Sequence, residues 1–236
     1  MAAAQPRQGG LRPRRERAVD GFHGVDLLHD HRHGAFLLAT LSTVPALTTY
    51  GHSWVQGAGA TSPQRRLAQR AARGLGLRLD NRGVGGSLST QTAELVARGV
   101  PPASAAYLVM TGLNDVRLHG DSARAMGELR DSLDRILDAL RAASPAAPIA
   151  VVEQPHLLDY TLHPPHDRGS DALVDRGNSV LREVAGRHPG AVVVSVHRWD
   201  RLRMLADDTA HPNDDGHAEV ARAVVPALHA VLAARS

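Results

Sequence analysis

Thr48-Thr49-Tyr50-Gly51-His52-Ser53-Trp54 closes an apolar run that begins at Val44, and the run reads as a buried strand. Gly51 permits a sharp turn, and a hydroxyl follows it at Ser53. Beyond lies a small-residue loop, Gly57-Ala58-Gly59-Ala60. A serine at the carboxyl end of a parallel strand stands where open α/β sheets bind ligands. A serine in a turn equally caps a helix or faces water, so the stretch needs support from elsewhere in the chain.

Downstream, strand and helix signals alternate. Strands are predicted over 46–50, 77–80, 105–110, 149–153 and 191–196. Helices are predicted over 63–73, 89–98, 122–143, 171–187 and 215–234, with a helical turn over 199–205. In the third helix Met126, Leu129, Leu133, Ile136, Leu137 and Leu140 fall at helical spacing and form a core-facing stripe. Short, fully apolar strands alternating with helices predict an α/β fold, with a parallel sheet covered on both faces. A long polar loop, 154–170, interrupts the pattern. It and the segment 23–42 are expected to shape the pocket. Two parts are expected: an N-terminal extension over 1–43, its first twenty residues a mobile arm, and one domain over 44–236.

Composition narrows the function. The chain has 236 residues and no cysteine, which excludes disulfides, thiolate zinc sites and a cysteine nucleophile. All 27 basic residues are arginine, and the formal net charge is only +3. The arginines are interspersed with Asp and Glu along the helices, so no nucleic-acid partner is expected. No stretch is long and apolar enough for a membrane span. The apolar residues 35–48 lie behind a charged, His-rich segment, which argues against a signal peptide and for a cytoplasmic protein, with secretion left open. The His29, His31 and His33 cluster is read as a solvated loop, and no metal or cofactor is expected. Oligomeric state has no readable code.

Four motifs follow four of the strands: Gly51-His52-Ser53, Asn81-Arg82-Gly83-Val84-Gly85-Gly86, Gly112-Leu113-Asn114-Asp115, and Asp208-Thr209-Ala210-His211-Pro212-Asn213. In a parallel sheet these ends share one edge. The residue types suit acyl transfer. Ser53 attacks a carbonyl carbon, His211 takes its proton, and Asp208 orients the imidazole. The backbone N–H groups of Ser53 and Gly86 and the amide of Asn114 supply an oxyanion hole. Glycine at 86 lets the backbone approach closely. Taken singly, each motif has a plain structural reading as a flexible turn, a helix cap or a capping segment. Their joint order is what favours chemistry.

Blocks in this order resemble the SGNH hydrolases, also called the GDSL lipase/esterase family, from about Ala46 to the C-terminus. The resemblance implies a flavodoxin-like, three-layer α/β/α sandwich with strand order 2-1-3-4-5. It also implies Ser53, Asp208 and His211 as triad and Gly86 and Asn114 in the oxyanion hole. The activity it implies is hydrolysis of a small-molecule ester or thioester without metal or cofactor. His52 departs from the Asp usual between the Gly and Ser, and Trp54 from a usual aliphatic residue. His52, Trp54 and Gln154 are expected to bind substrate, with a packed core the other reading for Trp54. Two further functions stay open: an acyltransferase or biosynthetic tailoring enzyme using the same acyl-enzyme, and a catalytically weak binding module.

Overall fold

The computed structural model describes residues 45–234. The expected N-terminal arm and the cluster His29, His31 and His33 lie outside the described residues. Five strands, β1 (Ala46–Gly51), β2 (Arg78–Gly83), β3 (Ala106–Met110), β4 (Ile149–Val152) and β5 (Ala191–Val194), form one sheet in the order β2-β1-β3-β4-β5. Every pairing is parallel, so all five carboxyl ends lie on one edge.

The helices are α1 (Ser53–Gln56), α2 (Leu67–Gly74), α3 (Ser89–Arg98), α4 (Leu113–His119), α5 (Ala123–Ala143), α6 (Asp171–Arg187), α7 (Arg201–Met204) and α8 (Asp214–Ala233). α2 packs on α8, while α5 packs on both α3 and α6. The apolar run of each central strand is buried throughout, as a sheet covered on both faces requires. The edge strand β2, Arg-Leu-Asp-Asn-Arg-Gly, is partly exposed along its length. Its charges blunt an edge that would otherwise pair with another chain. The α5 stripe is buried at all six predicted positions, each side chain contributing roughly 1.5–3 kcal/mol of burial.

Local boundaries differ from expectation in three places. The predicted helix over 63–73 is a 3-10 turn, Pro63–Arg65, followed by α2. Ser62 makes no side-chain cap, and Gly74 lies inside the helix instead of stopping it. The short helices α1 and α4 occupy stretches expected to be turns. β2 reaches Gly83, so the second motif begins within the strand. Among the described residues no helix is long and apolar enough to cross a membrane.

Candidate active site

Gly51 ends β1 at φ +145°, and a Cβ there would stand 1.9 Å from the Met110 carbonyl oxygen of the adjacent strand. Only glycine fits so close an approach in that conformation. The chain then turns into α1, with Ser53 as its first residue and His52 as its N-cap. Two backbone N–H groups, of Gly57 and Ala58, bond the Ser53 carbonyl and hold the short helix closed.

Ser53 Oγ lies 3.0 Å from His211 Nε2, and His211 Nδ1 lies 2.6 Å from Asp208 Oδ2. An ionised carboxylate only accepts, so Nδ1 carries the proton and Nε2 is left to accept from the serine hydroxyl. Asp208 Oδ1 accepts the N–H groups of Ala210 and His211 at 3.0 and 2.9 Å. Burial works against the ionised form of Asp208, but the His211 side chain and these backbone donors outweigh it and hold its pKa below the usual carboxylate value. Within the turn, Thr209 sits at φ +62°.

The second and third motifs are tied to the first. Val84 N–H and Ser87 Oγ–H both donate to the Gly51 carbonyl, at 2.8 and 3.3 Å. Asn114 Nδ2 donates to the Ser87 carbonyl at 3.1 Å, which orients the amide and leaves its second N–H available. Its neighbour Asp115 reaches the same segment, two residues on. It accepts both the N–H and the hydroxyl of Ser89, capping α3, and burial raises its pKa. Gly86 has φ +73°, and a Cβ there would meet nothing within 4 Å. The left-handed conformation favours glycine at this position, and no neighbouring protein atom crowds it.

His52, Trp54 and Gln154, expected to meet substrate, are in the interior at 0%, 1% and 4% exposure. Each polar atom is engaged by protein. His52 Nε2–H donates to Gln154 Oε1 at 2.8 Å, and its Nδ1 accepts from Trp54 N–H at 3.4 Å. Gln154 Nε2 donates to the carbonyls of Thr111 and Val152. Trp54 follows Ser53 by one residue on α1, a rotation of about 100° that turns it away from the Ser53 side chain and into the core. It stacks on Trp199 with centroids 5.2 Å apart, and its indole N–H bonds the Ala210 carbonyl at 2.9 Å. The packed reading holds for Trp54, and a binding role does not fit the burial of any of the three. Instead, Trp54 fastens the helix that begins at Ser53 to the loop carrying Asp208 and His211.

One contact had no signal in the sequence. His163, at φ +69° in the 154–170 loop, donates from Nε2 to the Asp208 carbonyl at 2.8 Å. Among the described residues no cluster of three or more His, Cys, Asp or Glu side chains forms a metal site.

Two buried imidazoles carry a prediction about stability. His52 has no acceptor for a second proton, and burial lowers its pKa to about 4. His217 accepts from Leu67 N–H at Nδ1 and donates to the Ala58 carbonyl from Nε2, and burial likewise lowers it to about 4. Unfolded histidine titrates near 6.5, so between those values the unfolded chain binds more protons. The stabilisation is complete above about pH 6.5 and is lost as pH falls towards 4, with roughly 2 kcal/mol per residue gone by pH 5. Urea unfolding at pH 7 and pH 5 is expected to show this loss. A midpoint that holds or rises at pH 5 would refute it.

A sequence model of the GDSL-like Lipase/Acylhydrolase family matches residues 49–219, well over half of the chain. The chain belongs to that family. No curated protein matches the sequence. A lipase/acylhydrolase from Enterococcus faecalis superposes with a TM-score of 0.60 at 14% identity, over 77% of this chain and 94% of that one. A carbohydrate esterase family 3 protein from Talaromyces cellulolyticus gives 0.59 at 19% identity, over 81% and 100%. A salicylyl-acyltransferase from a tetracycline biosynthetic pathway gives 0.62 at 20% identity, over 81% of this chain and 56% of that longer one. At these identities the likeness is one of fold. Both esterases and an acyltransferase therefore share this family member's architecture.

Proposed function

We propose that this family member is a serine hydrolase that cleaves a carboxylic ester through an acyl-enzyme on Ser53. The observation that carries the reading is the unbroken chain of hydrogen bonds from Asp208 through His211 to the Ser53 hydroxyl. In this reading His211 Nε2 takes the hydroxyl proton as Ser53 Oγ bonds to the carbonyl carbon. The carbonyl electron pair moves onto oxygen. There it meets the N–H groups of Ser53 and Gly86 and the free amide N–H of Asn114. His211 returns its proton to the departing alkoxide, and water then repeats the sequence to release the acid. The cavity beside Gly86, about 490 Å³ and lined by Val84, Ser87, Thr92 and Leu95 among others, offers room for the acyl part.

Fluorophosphonate labelling together with a panel of 4-nitrophenyl esters of increasing chain length tests this reading. Labelling and turnover are expected. A protein that does neither would be a binding module on the same fold. Acyl transfer is the second reading, supported by the likeness in fold to the salicylyl-acyltransferase. Adding a primary alcohol during turnover and measuring transester against acid separates transfer from hydrolysis.

The oxyanion hole carries its own expectation. Asn114→Ala is expected to lower kcat by about 10²–10³-fold. KM should move little, because the hydrogen bond strengthens mainly in the transition state. A change confined to KM would make Asn114 a ground-state binding residue.

A further inference from the structure

Among the described residues, two that are not glycine hold a positive φ: His163 at +69° and Thr209 at +62°. Histidine is tolerated in the left-handed region, but a β-branched residue there is an outlier. Such strain persists only where the surroundings impose it, and outliers of this kind cluster at functional sites. The two residues lie far apart in sequence, yet they meet at one peptide unit. His163 Nε2–H donates to the Asp208 carbonyl at 2.8 Å. The N–H of the same peptide, on Thr209, donates to the Ala206 carbonyl at 2.9 Å. The peptide between Asp208 and Thr209 is thus fixed at both ends. The Thr209 side chain gives no help, because its Oγ1 is enclosed and has no hydrogen-bond partner.

This peptide matters to the Asp208 carboxylate. Oδ1 accepts the N–H groups of Ala210 and His211, and Oδ2 is left for His211 Nδ1 at 2.6 Å. If Thr209 relaxed to a negative φ, the Asp208–Thr209 peptide and the segment from Ala210 onward would turn relative to each other. Asp208 stands before the rotating bond, and the donors to Oδ1 stand beyond it. Holding the peptide therefore holds the carboxylate in register with the ring.

His163 can do the holding because its own loop is tied down. Its carbonyl accepts His166 N–H at 2.9 Å, which closes a turn. On the near side, the Leu157 carbonyl accepts from Arg201 at 3.1 Å and the Tyr160 hydroxyl donates to Asp171 at 3.0 Å. On the far side, Arg168 N–H donates to the Arg117 carbonyl at 2.8 Å. We propose that His163 is a positioning residue: by binding the Asp208 carbonyl it keeps the Asp208–Thr209 peptide in its strained orientation and the carboxylate aimed at His211. It acts through Asp208 and takes no proton in the reaction. Its effect on rate rests on the reading of Ser53 and His211 as nucleophile and base.

The test compares His163→Ala with His163→Gln. Both put an ordinary side chain on the same left-handed backbone, so that strain cancels between them. Only glutamine can donate an N–H from near the position of Nε2. On a 4-nitrophenyl ester His163→Ala should lower kcat by about tenfold with little change in KM, the scale expected when a catalytic group is slightly misplaced. His163→Gln should recover most of the loss. In an Asp208→Asn background His163→Ala should add less than about twofold, because no aimed carboxylate is left to lose, whereas a damaged fold would multiply in both backgrounds. Should the alanine variant fail to fold, His163→Phe, which keeps a ring without a donor, replaces it. An unchanged kcat in His163→Ala, an equal loss in the Ala and Gln variants, an effect confined to KM, or the full loss repeated in Asp208→Asn overturns the proposal. If the wild-type protein turns over no ester, the hydrolase reading has failed, and the tautomer of His211 decides instead. Long-range proton–nitrogen spectra of protein carrying isotope-labelled histidine read it, with the His211 signal identified by its absence from His211→Gln. The wild-type and His163→Gln proteins should keep the proton on Nδ1, and in His163→Ala it should be shared with Nε2. A ring that keeps its Nδ1 proton in His163→Ala removes the proposal.

Discussion

Ser53→Ala is expected to abolish ester hydrolysis while the protein stays folded. Loss of a triad nucleophile in a serine protease lowers kcat by roughly 10⁶-fold, the remainder coming from the oxyanion hole and binding. At 1.36 kcal/mol per decade that is about 8 kcal/mol of transition-state stabilisation. Folding has far less at stake. The one side-chain hydrogen bond lost is that to His211, whereas the bonds closing α1 run to the Ser53 backbone carbonyl and survive. Alanine is also a good helix former, so the stability change should stay within about 1 kcal/mol. A thermal melt and a 4-nitrophenyl ester assay on the same preparation measure both quantities. Substantial turnover by the folded variant would exclude Ser53 as nucleophile.

Asp208→Asn should cost nearly as much, and Asp207→Asn almost nothing. An asparagine at 208 can keep the backbone N–H groups of Ala210 and His211 on its oxygen. Its amide then faces His211 Nδ1, and two donors cannot share that contact. The ring must move its proton to Nε2, where it can no longer accept from Ser53. The equivalent change in a serine protease costs about 10⁴-fold in kcat. Asp207 is exposed and has no hydrogen bond among the described residues, so its substitution removes only a solvated charge. Equal effects at both positions would mean that the loop's charge, and not the Asp208–His211 bond, is what matters. His52, held near pKa 4, is not the source of any ionisation in the rate near neutral pH. Any dependence of the rate on pH near neutrality should therefore survive in His52→Gln.

Much of this protein was legible before folding was considered. The strand–helix alternation and the α5 stripe follow from periodicity, which any long element buried on one side must display. The four motifs fall at the ends of β1, β2 and β3 and beyond β5, and a parallel sheet brings such ends to one edge whatever the loops do. Elements without periodicity were missed. α1 has four residues and α4 seven, too short for a stripe to form. The sequence by itself also singled out Asp208 over Asp207, since three residues in a tight turn let a carboxylate reach the ring nitrogen. Contacts between distant segments had no such local mark. His52 meets Gln154 102 residues away, and Trp54 meets the Ala210 carbonyl across 156, so residues that neighbour Ser53 in sequence became interior packing. His163 reaches Asp208 from 45 residues away. Burial and hydrogen-bond satisfaction are properties of the assembled surroundings, and only the tertiary structure decided them.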